Sequence, residues 1–124
     1  NRGMKNFYIG KEINRILKDN NVLKVQGKIF PLVANPNTTF PFLVYRRIGY
    51  QPRSNKDYMG EIVVMELIIA TETYNEGVDI ANSVCDILQG RETDMIEDIQ
   101  LVNISEIYLQ DTYLQSLQIQ IELK

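Results

Sequence analysis

The chain has 124 residues, of which 44% are hydrophobic and 23% charged, and its formal net charge is -3. This size and composition are typical of one folded domain, so we predict a single domain over residues 1–124. The apolar runs are far shorter than the ~20 residues of a membrane-spanning helix, and no clustered basic face typical of duplex binding is visible.

The sequence contains no histidine and a single cysteine, Cys85. Histidine is the usual general base at neutral pH and the commonest metal ligand, so its absence argues against catalysis. One cysteine cannot form an internal disulfide, which favours a reducing compartment. We therefore predict that the protein is not an enzyme and uses no cofactor.

The N-terminal third predicts one helix and one short strand. Apolar residues recur at helical spacing from about Asn6 to Asp19, which indicates an amphipathic helix. Asn20-Asn21 is the predicted stop, because asparagine tolerates the left-handed conformation that ends helices. Lys28–Val33 resembles a short strand, and Pro31 favours an edge position because proline cannot donate to a strand ladder.

The middle of the chain predicts a long hairpin. Phe42–Tyr50 alternates as a strand, Gln51–Met59 reads as a polar loop, and Glu61–Thr71 is nearly continuously apolar, as expected of a central strand. That last strand would be about 36 Å long, so we expect the hairpin to project beyond the core. A projecting arm needs a partner that buries its apolar side chains.

The C-terminal half predicts one helix and two strands. The helix begins at a capping box, Thr73 to Glu76, and ends at Gly90. Strands follow at Ile99–Gln110, with a bulge after Leu101, and at Tyr113–Lys124, with a tight turn between them. The fold class is therefore α+β, with the order α-β-β-β-α-β-β: a mostly antiparallel sheet of about five strands, two helices on one face, and a long projecting hairpin.

Six polar or aromatic residues are candidates for contact with another subunit. Arg46 and Arg47 are adjacent in a strand and must point to opposite faces, so they cannot act on one ligand together. The plain interpretation is a cross-strand pair with Glu66 or a neighbouring acid; the functional one is an ion pair across a subunit interface. The other candidates belong to the predicted hairpin tip: Arg53, Lys56, Asp57 and Tyr58.

Two further features have ordinary explanations. Cys85 lies in the C-terminal half of its helix, where packing is a better explanation than thiol reactivity. An acidic loop could bind a hard cation, but it has no EF-hand spacing, and a solvated loop is the favoured interpretation. Its acidic residues are Glu92, Asp94, Glu97 and Asp98.

Three segments occur in a distinctive order: Ile29–Pro31, Phe40–Ile48, and Thr73–Val84 followed by Leu88. A proline-containing turn separates the first two, and a polar loop and an apolar strand separate the last two. This order and spacing resemble the tail completion family of long-tailed phages and prophages. That family includes tail terminators and tail-to-head joining proteins of the lambda minor tail protein U type.

The resemblance implies a virion structural protein that forms a ring, usually a hexamer, at the end of the tail tube. The ring would terminate tail growth and join the tail to the head connector. Implied partners are other copies of the chain, the tail tube protein, the head–tail connector proteins, and DNA that passes through the lumen without specific binding; no membrane is involved. The implied location is the virion tail, after assembly in the host cytoplasm. The family shares no catalytic residues, so none are assigned.

Two other functions stay open at this point. A small dimeric α+β domain with a binding or regulatory role has the same element order, and fold alone does not fix function. An enzyme using carboxylates such as Glu66 or Glu72 would need convergent acids in a concave site, and no spacing in the sequence indicates one.

Overall fold

A computed structural model gives the structure of the protein and describes residues 7–20, 25, 28–54 and 59–124. The elements follow the predicted order. They are α1 (Ile9–Asp19), β1 (Ile29–Pro31), β2 (Phe42–Ser54), β3 (Met59–Thr71), α2 (Tyr74–Leu88), β4 (Ile96–Leu109) and β5 (Thr112–Leu123). Among the described residues, no helix is long and apolar enough to cross a membrane.

The five strands form one sheet in the order β1-β2-β3-β5-β4. β3 is the central strand, as its continuous apolar sequence predicted. β1 pairs parallel with β2, and every other pairing is antiparallel. β1 and β4 are the two edge strands, and Pro31 lies on the edge as predicted.

One core joins both helices to the sheet. The odd-numbered side chains of Glu61–Thr71 on β3 and of Gln115–Leu123 on β5 are buried on the helix side, whereas the even-numbered ones are mostly half-buried on the other face. The alternation arises because successive side chains of a strand point to opposite faces. The largest buried side chains come from both helices and three strands: Ile9, Ile13, Ile16, Leu17, Leu43, Met65, Leu67, Ile69, Ile80, Leu88, Ile96 and Ile99.

The ends of α2 match the signals in the sequence. The Thr73 hydroxyl accepts a hydrogen bond from the Glu76 backbone N–H at 3.3 Å, as the capping box predicted. Gly90 has φ 73°, and its N–H donates to the Ile99 carbonyl at 2.8 Å. That conformation favours glycine, which explains why the helix stops there.

The end of α1 differs from the prediction. Asn20 has φ -100°, so the left-handed conformation considered for Asn20-Asn21 does not occur at Asn20, and Asn21 lies outside the described residues. Its side-chain amide instead donates to the Ile16 carbonyl at 2.8 Å. The asparagine therefore satisfies a helix-terminal carbonyl through its side chain.

The predicted loop over Gln51–Met59 was wrong, because strand pairing continues through most of it. The pairs Arg53↔Gly60 and Ser54↔Met59 extend the hairpin beyond Glu61↔Leu123, the last pair between β3 and β5. The β2–β3 hairpin is thus long, as predicted, and extends past β5. Its tip, residues 55–58, lies outside the described part of the chain.

The β4–β5 hairpin turns one residue earlier than predicted. Leu109 pairs with Thr112, so the two turn residues are Gln110 and Asp111, with φ 51° and 60°. Positive φ at both positions is the geometry of a type I′ turn, whose twist matches that of the strands. The register shift between Leu101 and Asn103 confirms the predicted bulge.

Candidate functional site

Arg46 lies on the sheet face opposite the helices, in the cross-strand pair that the sequence suggested. Its Nε donates to Glu66 Oε1 at 2.9 Å, and the Ser116 hydroxyl donates to Glu66 Oε2 at 2.8 Å. Partial burial alone would raise the pKa of Glu66, but these hydrogen bonds and the charge of Arg46 outweigh it and lower the pKa below its ordinary value. The pair fixes the guanidinium in the middle of the open face.

Arg47 points to the opposite face, as expected of neighbouring residues in a strand. Its guanidinium carbon lies 5.3 Å from the centre of the Phe7 ring, a cation–π contact at the start of α1. The structure therefore does not bring the two arginines together on one ligand.

Of the four candidates from the predicted hairpin tip, Arg53 alone is among the residues that the structure describes. Arg53 belongs to β2, where its backbone pairs with Gly60. Lys56, Asp57 and Tyr58 lie outside the described residues. Their role in an interface stays a prediction.

The distal half of β4 is a surface that the sequence did not single out. Beyond the bulge every residue of this edge strand is exposed, and its five largest apolar side chains are between 50% and 58% exposed. We call this surface the hairpin patch: Val102, Ile104, Ile107, Tyr108 and Leu109. An apolar set of this size on an edge strand is typical of a protein–protein contact.

A cluster of tyrosines supports the hairpin patch from the helix side. The Tyr113 ring lies 4.7 Å from the Tyr108 ring and 6.0 Å from the Tyr74 ring, between ring centres. The Tyr74 hydroxyl and the Gln115 amide both donate to Glu106. Together they form a small cavity of about 210 Å³ beside the first turn of α2.

A second apolar surface lies at the other edge of the sheet, beside β1. It is a groove of about 380 Å³ between the start of α1 and strands β1 and β2. We call it the edge groove; its lining includes Phe7, Lys11, Pro31, Leu32, Tyr45 and Arg47. Phe7 and Leu32 are 62% and 74% exposed, so the groove opens to solvent.

Leu32 has an unusual backbone conformation at the rim of this groove. Its φ is 66°, in the left-handed region that bulky residues seldom occupy. The Leu32 N–H donates to the Tyr45 carbonyl at 2.8 Å, which fixes the backbone there. An exposed leucine occupies a strained position where glycine would fit without strain. This favours a functional role for the Leu32 side chain.

Cys85 has the environment that the sequence favoured, whereas the predicted acidic loop is shorter than expected because Glu97 and Asp98 belong to β4. Burial, and secondarily the Asp86 charge, raise the pKa of the half-buried Cys85 thiol, which disfavours the reactive thiolate. Lys124 pairs with Glu92 of the acidic loop at 2.9 Å. The described residues contain no group of three or more potential metal ligands.

These features define an α+β module whose exposed apolar surfaces suit contact with other proteins. The chain belongs to the tail completion protein gp17 family, whose model matches residues 13–123. The family predicted from the order of segments is thereby confirmed, and this membership supports a structural role in a phage tail.

Solved structures share the fold at low sequence identity. A chain in the virion of a native gene transfer agent particle matches with a TM-score of 0.69 and 11% identity over 90% of each chain. A second solved chain, which has no descriptive name, matches with a TM-score of 0.62 and 8% identity, over 96% of this chain and 95% of that one. No curated protein matches the sequence.

Proposed function

We propose that the protein forms a ring at the end of the phage tail tube, stops tube growth, and joins the tail to the head connector. The observation behind this proposal is the match to the tail completion family over residues 13–123. The fold shared with a chain of a gene transfer agent virion supports it. The whole of residues 1–124 would act as one structural domain, without catalysis and without a cofactor.

The proposed partners are other copies of the chain, the tail tube protein and the head–tail connector proteins. The candidate residues for subunit or tail contact remain Arg46, Arg47, Arg53, Lys56, Asp57 and Tyr58. Assembly would take place in the host cytoplasm and end in the virion tail.

DNA would pass through the ring without specific binding. The chain has a formal net charge of -3, which gives little reward from counterion release on phosphate contact. Ring-capped tubes should therefore bind duplex DNA no more tightly than uncapped tubes at physiological salt.

Capping of purified tail tubes tests the proposal. Tubes assembled with the protein should have a uniform ring at one end and a narrow length distribution in electron micrographs, whereas tubes assembled alone should vary in length. Deletion of residues 53–58 should weaken capping, while the far-ultraviolet circular dichroism spectrum should remain that of a folded protein. Uncapped tubes of unbounded length in the presence of the intact protein would overturn the proposal, and a stable dimer without affinity for tubes would favour the binding-domain alternative.

A further inference from the structure

Beyond the bulge at Leu101 to Asn103, the hairpin patch has no lysine or proline on its exposed edge. Natural sheets commonly guard an exposed edge with lysine, proline or a covering element. Residues 102–113 contain no lysine, arginine, proline or glycine, and their only charges are the acids Glu106 and Asp111. Both acids are exposed, so the hairpin presents an apolar surface with negative charge.

The edge groove is apolar with the opposite charge. Among the described residues, the charged ones that line it are all basic: Lys11, Arg46 and Arg47. Arg46 is paired with Glu66 on the open face, so the exposed Lys11 supplies positive charge on the helix side. Phe7 and Leu32 supply exposed apolar area beside it.

We infer that the hairpin patch of one copy binds in the edge groove of the next copy. The inference rests on the proposed ring, and it names the two surfaces that would join the subunits. β4 and β1 are the opposite edges of one sheet, so each copy has both surfaces available at once. A contact between two unlike surfaces repeats from copy to copy and closes into a ring when the rotation permits.

Charge favours this pairing over contact between two hairpin patches. An antiparallel pairing of two β4 strands centred on the exposed segment would place Glu106 of one copy close to Glu106 of the other. Like charges directly opposite each other destabilise strand pairs. Glu106 beside Lys11 gives complementary charges instead, which favour association and fix its orientation.

A charge exchange between two variants tests the inference. Glu106→Lys reverses the hairpin patch and Lys11→Glu reverses the edge groove, so each variant alone should need about 10-fold more protein to cap half of the tubes. An equal mixture should recover most of the wild-type capping, because each reversed surface meets a reversed partner. Glu106→Gln, which keeps the shape and removes the charge, should fall between the wild type and Glu106→Lys.

Leu32→Gly provides a second test that does not depend on charge. Glycine suits the left-handed backbone, so the melting temperature should be retained or raised, whereas capping should weaken because the exposed side chain is gone. Leu32→Asn keeps a side chain that suits the left-handed region and should also weaken capping, because the apolar side chain is gone.

The outcomes separate this inference from the proposed function. Wild-type protein that neither caps tubes nor self-associates overturns both. Wild-type protein that caps while the single variants cap equally well overturns only the inference. The inference is also overturned if the mixture does not recover capping. It is overturned as well if Glu106→Lys forms normal rings in solution and loses only tube binding, because the hairpin patch would then contact the tube protein.

Discussion

Tyr74, the first residue of α2, donates its hydroxyl hydrogen toward both carboxylate oxygens of Glu106 on β4, at 3.0 and 3.2 Å. The Gln115 amide of β5 donates to the same carboxylate at 2.9 Å. One side chain on the exposed edge strand is therefore bound to the helix and to the neighbouring strand. This contact holds the end of the β4–β5 hairpin against the N-terminus of α2.

The Tyr74–Glu106 contact predicts a shift in tyrosine titration. The hydrogen bond to the Glu106 carboxylate raises the pKa of Tyr74 above its ordinary value. The stabilisation of the folded protein by this hydrogen bond is fully present below a pH of about 10, the ordinary pKa of tyrosine. It is lost as the pH rises through the higher pKa of Tyr74 in the folded protein. Glu106→Gln should lower the pKa of Tyr74, as measured by tyrosinate absorbance at increasing pH. Tyr74→Phe identifies the titration step, and unchanged curves for Glu106→Gln would contradict the assignment.

Loss of the helix cap should reduce stability. Thr73→Ala removes the acceptor for the Glu76 N–H and should lower the free energy of unfolding by about 1 kcal/mol. Thr73→Ser keeps the hydroxyl and should stay close to the wild type. Chemical denaturation of the three proteins measures the difference, and an equal loss for Ser and Ala would show that the hydroxyl is not the cause.

Gly77 should not tolerate alanine, although alanine is the better helix former. A Cβ at Gly77 would lie 2.9 Å from the Thr71 hydroxyl oxygen, which donates its hydrogen to the Thr73 carbonyl at 2.7 Å. Gly77→Ala should therefore lower the free energy of unfolding by about 1–3 kcal/mol. Thr71→Ala/Gly77→Ala should lose less than the sum of the two single variants, because the clashing atom is gone. If the two losses in the free energy of unfolding were additive, contact with the Thr71 hydroxyl would not be the cause.

Cys85 should react slowly in the folded protein. Its raised pKa leaves less thiolate at pH 8 than an unfolded thiol would have, and the side chain is partly buried away from solvent. Labelling with a thiol reagent should be several-fold slower in the native protein than in denaturant. Asp86→Asn removes the smaller cause and should speed native labelling slightly, whereas equal native and denatured rates would contradict the burial.

The β4–β5 turn offers a stabilising substitution. Gln110 has φ 51°, and asparagine adopts this conformation more readily than glutamine. Gln110→Asn should raise the free energy of unfolding by about 0.5 kcal/mol. Gln118→Asn, a matched change within β5, should give no gain because asparagine is disfavoured in strands. Thermal unfolding of both variants measures the contrast.

The sequence predicted the elements whose signals are local. The alternation of Leu117 to Leu123 and the Thr73 capping box require only neighbouring residues, and the structure has both. The loop predicted at Gln51–Met59 failed because pairing with a partner strand overrode the polar composition.

The candidate surfaces depend on contacts that the sequence pattern does not encode. Ile104 and Ile107 look like ordinary strand residues, yet they are exposed because β4 is at the sheet edge. The edge groove brings the start of α1 beside Leu32 and Arg47, which are distant in sequence. Only the Arg46–Glu66 pair could be proposed beforehand, since an opposite charge was available on the next strand.

The strand order also bears on how the protein folds. Two hairpins, β2–β3 and β4–β5, pair residues that are neighbours in sequence, whereas the contact between β3 and β5 joins positions as far apart as Glu61 and Leu123. Closing such long loops is the slow part of forming a sheet. We therefore expect the hairpins to form first as separate units, and their meeting along β3 and β5 to set the rate at which the native protein appears.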